Sequence, residues 1–338
     1  MTGNHSEHPG SHHHGHGHDH SRVDPSLLTT DRGIWAIRWS FVGLMITALL
    51  QAVVVFFSGS VSLLADTVHN FGDAATAIPL WIAFRLARRS PTKRFTYGYG
   101  RMEDLAGAVI VLIILASAVV TGYKSIERLF NPRMVTHLWA IAVASVIGFA
   151  GNEVVARFRI RVGKEIGSAA LVADGHHARV DGLTSLGVLF GVLGISLGYP
   201  WADPVVGLLI TLAILRIVWS AGKSVFMRLL DGIEPGVVDE IVEAVNDIPG
   251  VQSVSEVRVR WLGHRLHGEI NIALSPTLTV EQGHNVAVEV RHHLLHHVPY
   301  LSNATVHVDP SNAAGERHHD VTEHSHDGYP PHGHSGEE

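Results

Sequence analysis

Residues 173–184 read Ala-Asp-Gly-His-His-Ala-Arg-Val-Asp-Gly-Leu-Thr and lie inside an apolar stretch that runs from 168 to 195. Residues 65–76 read Ala-Asp-Thr-Val-His-Asn-Phe-Gly-Asp-Ala-Ala-Thr and lie inside another apolar stretch, from 61 to 84. Apolar stretches of about 20 residues are long enough to cross a bilayer as helices. The repeated pattern therefore predicts two membrane helices with ionisable side chains, which are costly in a bilayer and usually mark a function.

The spacing within each copy places its ionisable residues on one side of a helix, because residues at i, i+3 and i+7 share a face. These residues are Asp66, His69 and Asp73 in the first copy, and Asp174, His177 and Asp181 in the second. A single histidine or aspartate in a span could instead be a structural hydrogen-bonding group between helices. The same His-x-x-x-Asp pair on two spans favours a shared metal ion.

The predicted metal site has two imidazole and two carboxylate ligands, from His69, Asp73, His177 and Asp181. Zinc accepts such a tetrahedral set at about 2.0–2.2 Å, whereas Mg²⁺ and Ca²⁺ prefer shells of oxygen alone. Co²⁺, Ni²⁺, Fe²⁺ and Mn²⁺ remain chemically possible. Asp66 and Asp174 lie one turn before the histidines, where we expect them to orient the imidazoles or to line an approach path.

The composition also indicates an α-helical membrane protein. The chain has 338 residues, of which 46% are hydrophobic and only 17% charged, which is too apolar for an ordinary soluble protein of this length. Six apolar segments of membrane-spanning length are predicted, near 34–57, 61–84, 104–127, 137–156, 168–195 and 203–227. The chain has no cysteine, which excludes a disulfide framework and a thiolate metal site.

The charge of the connecting loops predicts the orientation of the spans. The second and fourth loops are rich in lysine and arginine, and positively charged loops stay in the cytoplasm. The basic residues of the fourth loop are Arg157, Arg159, Arg161 and Lys164. With six spans, both termini are then cytoplasmic. Residues 1–31 and 311–338 form two His-rich tails, whose low apolar content predicts disorder.

A soluble domain is predicted to follow a membrane domain of residues 32–230. Within residues 231–310, the hydrophobic periodicity indicates two helices and three strands in the order αββαβ, which suits a small ferredoxin-like α+β layer. The predicted elements are a helix at 237–248, strands at 251–261 and 268–274, a helix at 278–298 and a strand at 304–308.

From about residue 32 to residue 310 the chain resembles the cation diffusion facilitator family of metal efflux transporters. The resemblance depends on the six spans, the α+β domain, the repeated His-x-x-x-Asp pair and residues 95–103, Phe-Thr-Tyr-Gly-Tyr-Gly-Arg-Met-Glu. It implies a homodimer with a transport site on the second and fifth spans of each protomer. The two histidines resemble the zinc-type members, since manganese-type members usually have Asp or Asn there. It also implies that Arg101 pairs with Asp231 near the membrane surface and locks the dimer.

The resemblance further implies a regulatory metal site in the cytoplasmic domain. His284, His307 and Asp309 match family ligands, whereas two other ligand positions are Ser255 and Asn271. His264 and His267 are the candidates to replace the two missing ligands. The alternative, that these are surface histidines of a His-rich protein, stays open at this point.

The predicted function is that of a cation/proton antiporter and not of an enzyme. A metal ion requires neutral histidine and ionised aspartate, so its binding expels protons, and export of Zn²⁺ in exchange for protons follows. The alternative is a membrane-bound metal sensor without flux. The chain has neither the His-Glu-x-x-His sequence of a metalloprotease nor a Walker sequence for ATP. We expect divalent cations, the lipid bilayer and a second copy of the chain as partners, no nucleic acid, and a bacterial-type cytoplasmic (inner) membrane.

Overall fold

The computed structural model describes residues 25–58, 77–130, 137–199 and 201–315. Its membrane part contains helices α1 (Pro25–Ser58), α2 (Ala77–Ala87), α3 (Arg101–Phe130), α4 (Leu138–Glu165), α5 (Ala169–Ser196) and α6 (Ala202–Leu229). Among these described helices, five are long and apolar enough to cross a membrane, and α2 is a shorter apolar helix. The predicted fold class, a helical membrane domain followed by an α+β domain, is confirmed.

The membrane helices pack around a main apolar core, beside which lie two smaller buried clusters. The buried side chains of the main core come from all six membrane helices, with Val162 as the contribution of α4, and include Ile37, Phe84, Leu171 and Ile214. The α4–α5 pair is held especially close at Gly175, where an added Cβ would lie 3.0 Å from the Ile160 nitrogen and 3.1 Å from the Arg159 Cβ. Small residues allow such close approach of two helices in a bilayer, where packing drives association.

Helix α4 is longer than the sequence pattern predicted, and this corrects the fourth loop. The helix continues to Glu165, so the four basic residues assigned to that loop are helical and the connection shrinks to residues 166–168. Val155, Arg159, Val162 and Ile166 all lie on the buried side of the helix or its C-terminal end. Their spacing of three or four residues is that of one helical face, which explains why the helix does not end where its charges begin.

Helix α1 likewise begins earlier than predicted. It starts at Pro25, so residues 25–31 of the predicted tail are helical, while residues 1–24 and 316–338 lie outside the described residues. Two contacts explain the extension. The buried Thr30 has its Oγ1 atom 3.1 Å from His264 Nε2, and Asp31 Oδ1 lies 3.1 Å from Nη1 of Arg88, which directly follows α2.

The cytoplasmic domain has the predicted order of elements. It consists of α7 (Pro235–Asn246), β1 (Ser253–Leu262), β2 (Arg265–Leu274), α8 (Val280–His297) and β3 (Leu301–Pro310). The sheet order is β1-β2-β3, with β1 and β2 antiparallel and β2 and β3 parallel. Helix α8 makes the crossover that a parallel pair requires, and a capping box of Thr279 and Gln282 fixes where it starts.

Both helices of this domain cover the same apolar core. Ile241 and Val245 of α7 and Val290 and Leu294 of α8 are buried with Ile270 of the central strand. The alternating burial along β2 places its isoleucines in this core. The domain therefore has a core of its own, separate from that of the membrane helices.

Candidate metal site and its connection to the cytoplasmic domain

Helix α5 carries half of the predicted metal site. His177 and Asp181 are 2% and 12% exposed, and His177 Nδ1 lies 3.8 Å from Asp181 Oδ1. Two ligands of one tetrahedral zinc ion, each about 2.0–2.2 Å from it, lie about 3.4 Å apart. A small side-chain movement would therefore let this pair share an ion. The other predicted ligands, His69 and Asp73, and the neighbouring Asp66 lie outside the described residues.

Asp174 has a different neighbour from the one predicted. Its Oδ2 atom lies 3.0 Å from Arg159 Nη1 of α4, and the two side chains are 0% and 1% exposed. Asp174 was expected to orient the imidazole of its own helix or to line an approach path, and the contact that the structure describes is an ion pair with the adjacent helix. A buried arginine without such a partner would be very costly, so the pair joins α4 to α5 one turn from His177.

A second ion pair joins the same helices on a more exposed side. Glu153 of α4 accepts hydrogen bonds from Arg179 Nε at 3.2 Å and from Arg157 Nε at 2.7 Å. Arg179 lies between His177 and Asp181 in the sequence, yet helical geometry turns it away from them. The positive charge within the repeated pattern is therefore neutralised by a neighbouring helix.

His264 is placed at a buried junction between the two domains. Its Nδ1 atom lies 2.7 Å from Glu103 Oε2 of α3, and its Nε2 atom lies 3.1 Å from Thr30 Oγ1 of α1. The ring also packs against Phe84 of α2, with centroids 5.6 Å apart. Both ring nitrogens are thus engaged by protein groups. His264 was predicted as a regulatory metal ligand, but in this arrangement neither nitrogen is left for a metal.

The backbone of the turn that carries His264 also forms hydrogen bonds with the membrane helices. Gly263 has φ +67°, and an added Cβ would lie 2.8 Å from the Gly100 carbonyl oxygen, so glycine is required there. Its N–H donates to Asp104 Oδ2 at 3.0 Å, and its carbonyl accepts from Arg228 Nη1 at 3.1 Å. The Arg228 guanidinium also lies 3.9 Å from the ring centroid of Trp261. One turn of the cytoplasmic domain therefore contacts α1, α2, α3 and α6.

The remaining cytoplasmic candidates are only partly brought together. His307 Nε2 lies 2.9 Å from Asp309 Oδ1 on β3, while His284 is exposed near the start of α8. His267 is half-buried on β2, where burial and then the charges of Arg260 and Arg265 lower its pKa. Those positive neighbours also oppose a metal cation. Within the described ranges, no three His, Asp or Glu side chains converge closely enough to hold a metal ion.

Arg101 and Asp231 lie together within one chain. The Arg101 guanidinium forms an ion pair with the Asp231 carboxylate, and its Nη1 atom donates to the Arg228 carbonyl at 2.8 Å. Both side chains are partly exposed, at 35% and 47%. The pair joins the start of α3 to the segment after α6, where the chain leaves the membrane helices.

Two buried charged residues that contact predicted site residues were not found from the sequence, Arg159 beside Asp174 and Glu103 beside His264. The burial of Arg159 could have been found by extending the apolar face of α4 past residue 156. Glu103 lies 161 residues from His264 in the chain, and nothing in the local pattern of either residue indicates the other.

Comparison with known proteins gives consistent matches over both domains. The model of the cation efflux transmembrane domain matches residues 37–230, and that of the cation efflux protein cytoplasmic domain matches residues 233–311. A probable cation efflux system protein of Mycobacterium tuberculosis is 51% identical over 289 residues, which cover 86% of this chain and 87% of the relative.

More distant similarities extend the comparison. The manganese efflux system protein MneS of Bacillus subtilis is 22% identical over 273 residues, which cover 80% of this chain and 93% of the relative. The magnetosome protein MamB of Paramagnetospirillum magneticum is 24% identical over 280 residues, covering 82% and 95%. A solved structure of the MamM-CTD matches 22% of this chain and 95% of its own, at 28% identity and a TM-score of 0.22.

Proposed function

Because the chain belongs to the cation diffusion facilitator family of cation efflux transporters, we propose that it exports Zn²⁺ from the cytoplasm in exchange for protons. The observation that carries this proposal is the buried His177–Asp181 pair, with ligand atoms 3.8 Å apart on a membrane helix. We infer that His69 and Asp73 complete a tetrahedral set with it. Two imidazoles and two carboxylates suit zinc geometrically and chemically.

The choice of zinc depends on the two histidines. One relative is named a manganese efflux protein, so manganese is the most direct competitor as cargo. Carboxylate and carbonyl oxygens suit Mn²⁺, whereas imidazole suits Zn²⁺ and the later transition metals. A site with two histidines should therefore favour zinc over manganese, and Co²⁺, Ni²⁺ and Fe²⁺ should rank between them or close to zinc.

Proton exchange follows from the same ligands. Imidazole binds a metal only when neutral, and carboxylate binds it when ionised, so loading the site releases protons and acidification releases the metal. A rearrangement that opens the site alternately to each side of the membrane would convert this competition into antiport. This exchange needs no proton-binding groups other than the metal ligands themselves.

The rest of the proposal concerns assembly and regulation. We infer a homodimer in a bacterial-type inner membrane with both termini in the cytoplasm, and the Arg101–Asp231 pair lies where it would stiffen the junction of the domains. His307 and Asp309, with His284, are the proposed regulatory ligands, since His307 Nε2 and Asp309 Oδ1 already lie 2.9 Å apart. His264 is not among these proposed ligands, because both of its ring nitrogens contact protein groups at the junction of the two domains.

The test is metal flux into proteoliposomes that contain the purified full-length chain, with a pH gradient imposed across the membrane. Zn²⁺, Co²⁺, Ni²⁺, Fe²⁺ and Mn²⁺ are compared in competition, and an internal pH dye records counter-transport. We expect proton-coupled zinc flux that Asp181→Asn abolishes. A matched control is Asp203→Asn, since Asp203 pairs with Arg128 at 2.8 Å and contacts α5 near Gly191, ten residues and about 15 Å beyond Asp181.

Three results would contradict the proposal in different ways. Unchanged zinc flux in Asp181→Asn would show that the proposed metal site on α5 is not needed for transport. Flux that is indifferent to the pH gradient would overturn proton exchange while leaving export intact. Stoichiometric zinc binding without any flux would favour a membrane-bound metal sensor.

A further inference from the structure

A cavity of about 220 Å³ lies where the membrane helices meet the cytoplasmic domain. The segment between α2 and α3 lines it with Arg89 and Tyr97, and the cytoplasmic domain lines it with Arg265, His267 and Asn303. Its volume is well above the roughly 10–15 Å³ that one water molecule needs. The cavity therefore has room for a polyatomic group that contacts both domains at once.

The lining of this cavity is positively charged. Arg89 and Arg265 are part of it, and no aspartate or glutamate is found among the described residues that line it. Arg265 Nη2 donates to Thr30 Oγ1 at 3.0 Å, a neutral group that holds the guanidinium in place without cancelling its charge. The Arg260 guanidinium lies 4.6 Å from the ring centroid of Tyr97 and extends the positive surface. A cavity with this lining favours an anion.

The neighbouring polar groups agree with an anionic occupant. Burial and then the charges of Arg260 and Arg265 lower the pKa of His267, so its ring is neutral at pH 7 and offers one N–H donor. Asn303 Oδ1 accepts a hydrogen bond from Arg291 Nη2 at 3.5 Å, which turns that oxygen toward Arg291 and leaves the amide N–H₂ as a donor. The lining thus combines cations with neutral donors, as recognition of an anion requires.

The cavity lies at the level of the membrane surface. Ala87, the last residue of α2, and Gly100, the residue before α3, both line it, so it sits where two apolar helices end on the side of the cytoplasmic domain. Phe95 and Tyr97 in the same segment are 47% and 62% exposed. Exposed aromatic side chains are enriched at the headgroup level of a bilayer.

The segment from 88 to 100 is also basic, with Arg88, Arg89, Lys93 and Arg94. The cytoplasmic leaflet contains anionic lipids, which attract basic segments next to membrane helices. Arginine binds phosphate through two parallel hydrogen bonds. From the cationic cavity, its neutral donors and its depth, we propose that it binds the phosphate headgroup of an anionic phospholipid of the cytoplasmic leaflet, between Arg89 and Arg265.

A headgroup in this cavity would act on the junction of the two domains. It would neutralise one arginine from each domain, and His264, whose ring nitrogens contact Glu103 and Thr30, lines the same cavity. The lipid would therefore strengthen the attachment of the cytoplasmic domain to the membrane helices. This role is separate from metal binding on α5 and does not depend on which cation is transported.

The test is native mass spectrometry of the full-length protein in neutral detergent, titrated with phosphatidylglycerol. Phosphatidylcholine, which has a phosphate but no net charge, should bind more weakly. One arginine near a membrane surface contributes about fivefold to the affinity for anionic lipid, so Arg89→Gln should weaken phosphatidylglycerol binding by about that factor. Arg94→Gln is the matched control, because it removes the same charge from the same segment outside the cavity lining, and it should leave the affinity nearly unchanged.

A second variant adds a charge instead of removing one. Asn303→Asp places a carboxylate in the cavity and should weaken phosphatidylglycerol binding by at least about fivefold, since like charges repel. The fold is not threatened, because the carboxylate keeps an acceptor for Arg291. The matched control is Asn285→Asp on the exposed surface near the start of α8, where the helix dipole favours a negative charge. Thermal unfolding without lipid checks that all variants are folded.

Competition separates a lipid from a soluble phosphate compound. Inorganic phosphate or glycerol 3-phosphate, in large excess over the lipid, should not displace phosphatidylglycerol, because neither has acyl chains that remain in the micelle. Complete displacement would mean that the cavity binds soluble phosphate compounds, and would overturn the assignment to a lipid.

Three other results would overturn the proposal. These are equal affinity for phosphatidylglycerol and phosphatidylcholine, equal weakening by Arg89→Gln and Arg94→Gln, or unchanged affinity in Asn303→Asp. Equal weakening by the two arginine variants would indicate general attraction to a basic surface and not a site. None of these measurements depends on flux, so the outcome stands apart from that of the transport experiment.

Discussion

Two buried histidines of this molecule each lie beside a carboxylate, and they are built differently. At the domain junction, His264 Nδ1 lies 2.7 Å from Glu103 Oε2, with Thr30 Oγ1 at 3.1 Å from the other nitrogen. On α5, His177 Nδ1 lies 3.8 Å from Asp181 Oδ1. The first spacing is that of a hydrogen bond, while the second leaves room for an ion between two ligands. The difference teaches that the short His264–Glu103 contact joins two domains of the protein, whereas the wider His177–Asp181 spacing is compatible with the proposed metal site.

The largest expected effect is on zinc flux, which should depend on His177 but not on His264. His177→Gln removes a proposed metal ligand and should lower zinc flux by at least about 100-fold, since even loss of a supporting group costs 10–100-fold. His264→Gln should leave flux within about threefold, because it removes no ligand. Flux into proteoliposomes, normalised to folded protein, measures both. Equal losses in the two variants would break the distinction.

The next largest effect is on stability and concerns the buried ion pair between Arg159 and Asp174. Arg159→Leu leaves the carboxylate buried without its cation and should destabilise the protein by about 3–5 kcal/mol. The double variant with Asp174→Leu should recover most of this loss, because two apolar side chains replace two charges. Denaturant unfolding in detergent, followed by tryptophan fluorescence, gives the values. A double variant as unstable as the single one would show that the ion pair is not the source.

A smaller loss of stability is expected at the junction. His264→Ala removes two hydrogen bonds and leaves Glu103 buried without its nearest partner, which should cost about 2–3 kcal/mol. Glu103→Gln in the same background tests coupling, because the two changes should not add when the groups contact each other. The same unfolding measurement applies. Additive losses would mean that His264 is held by packing alone.

The smallest effect is expected for Arg101→Ala at the exposed pair with Asp231. Exposed ion pairs contribute about 0–1 kcal/mol and are screened by salt. The free energy of unfolding should fall by less than about 1 kcal/mol, and the difference should disappear in 0.5 M salt. A loss as large as that of Arg159→Leu would show that partial exposure does not weaken this pair, and would favour a role in assembly.

Much of the fold could be predicted because it depends on local pattern. Apolar length identified the spans, and the change from a helical to an alternating period identified β1, whose residues Val257 and Val259 alternate with arginines. The proximity of His177 and Asp181 on α5 was also predictable, since the two residues are one turn apart. These features need only neighbours in sequence.

The rest depends on contacts between distant residues. His264 resembled a metal ligand because histidine is a ligand type, but its role is set by Thr30 and Glu103, which are far away in the chain. Arg159 resembled a loop cation because it lies among other basic residues, yet the helix turns it inward toward Asp174. Periodicity alone would have assigned that face, but the opposing acid becomes visible only once α4 and α5 are packed.

The close contact of α4 and α5 at Gly175 has a mechanical consequence. The backbone there leaves no space for a side chain, and the buried charges of Arg159 and Asp174 lie within one turn of it. Sliding one helix along the other would force a collision and separate two opposite charges in an apolar medium. We therefore expect α4 and α5 to move as a single rigid body, so that the proposed site on α5 opens alternately to the two sides of the membrane while the α4–α5 contacts stay unchanged.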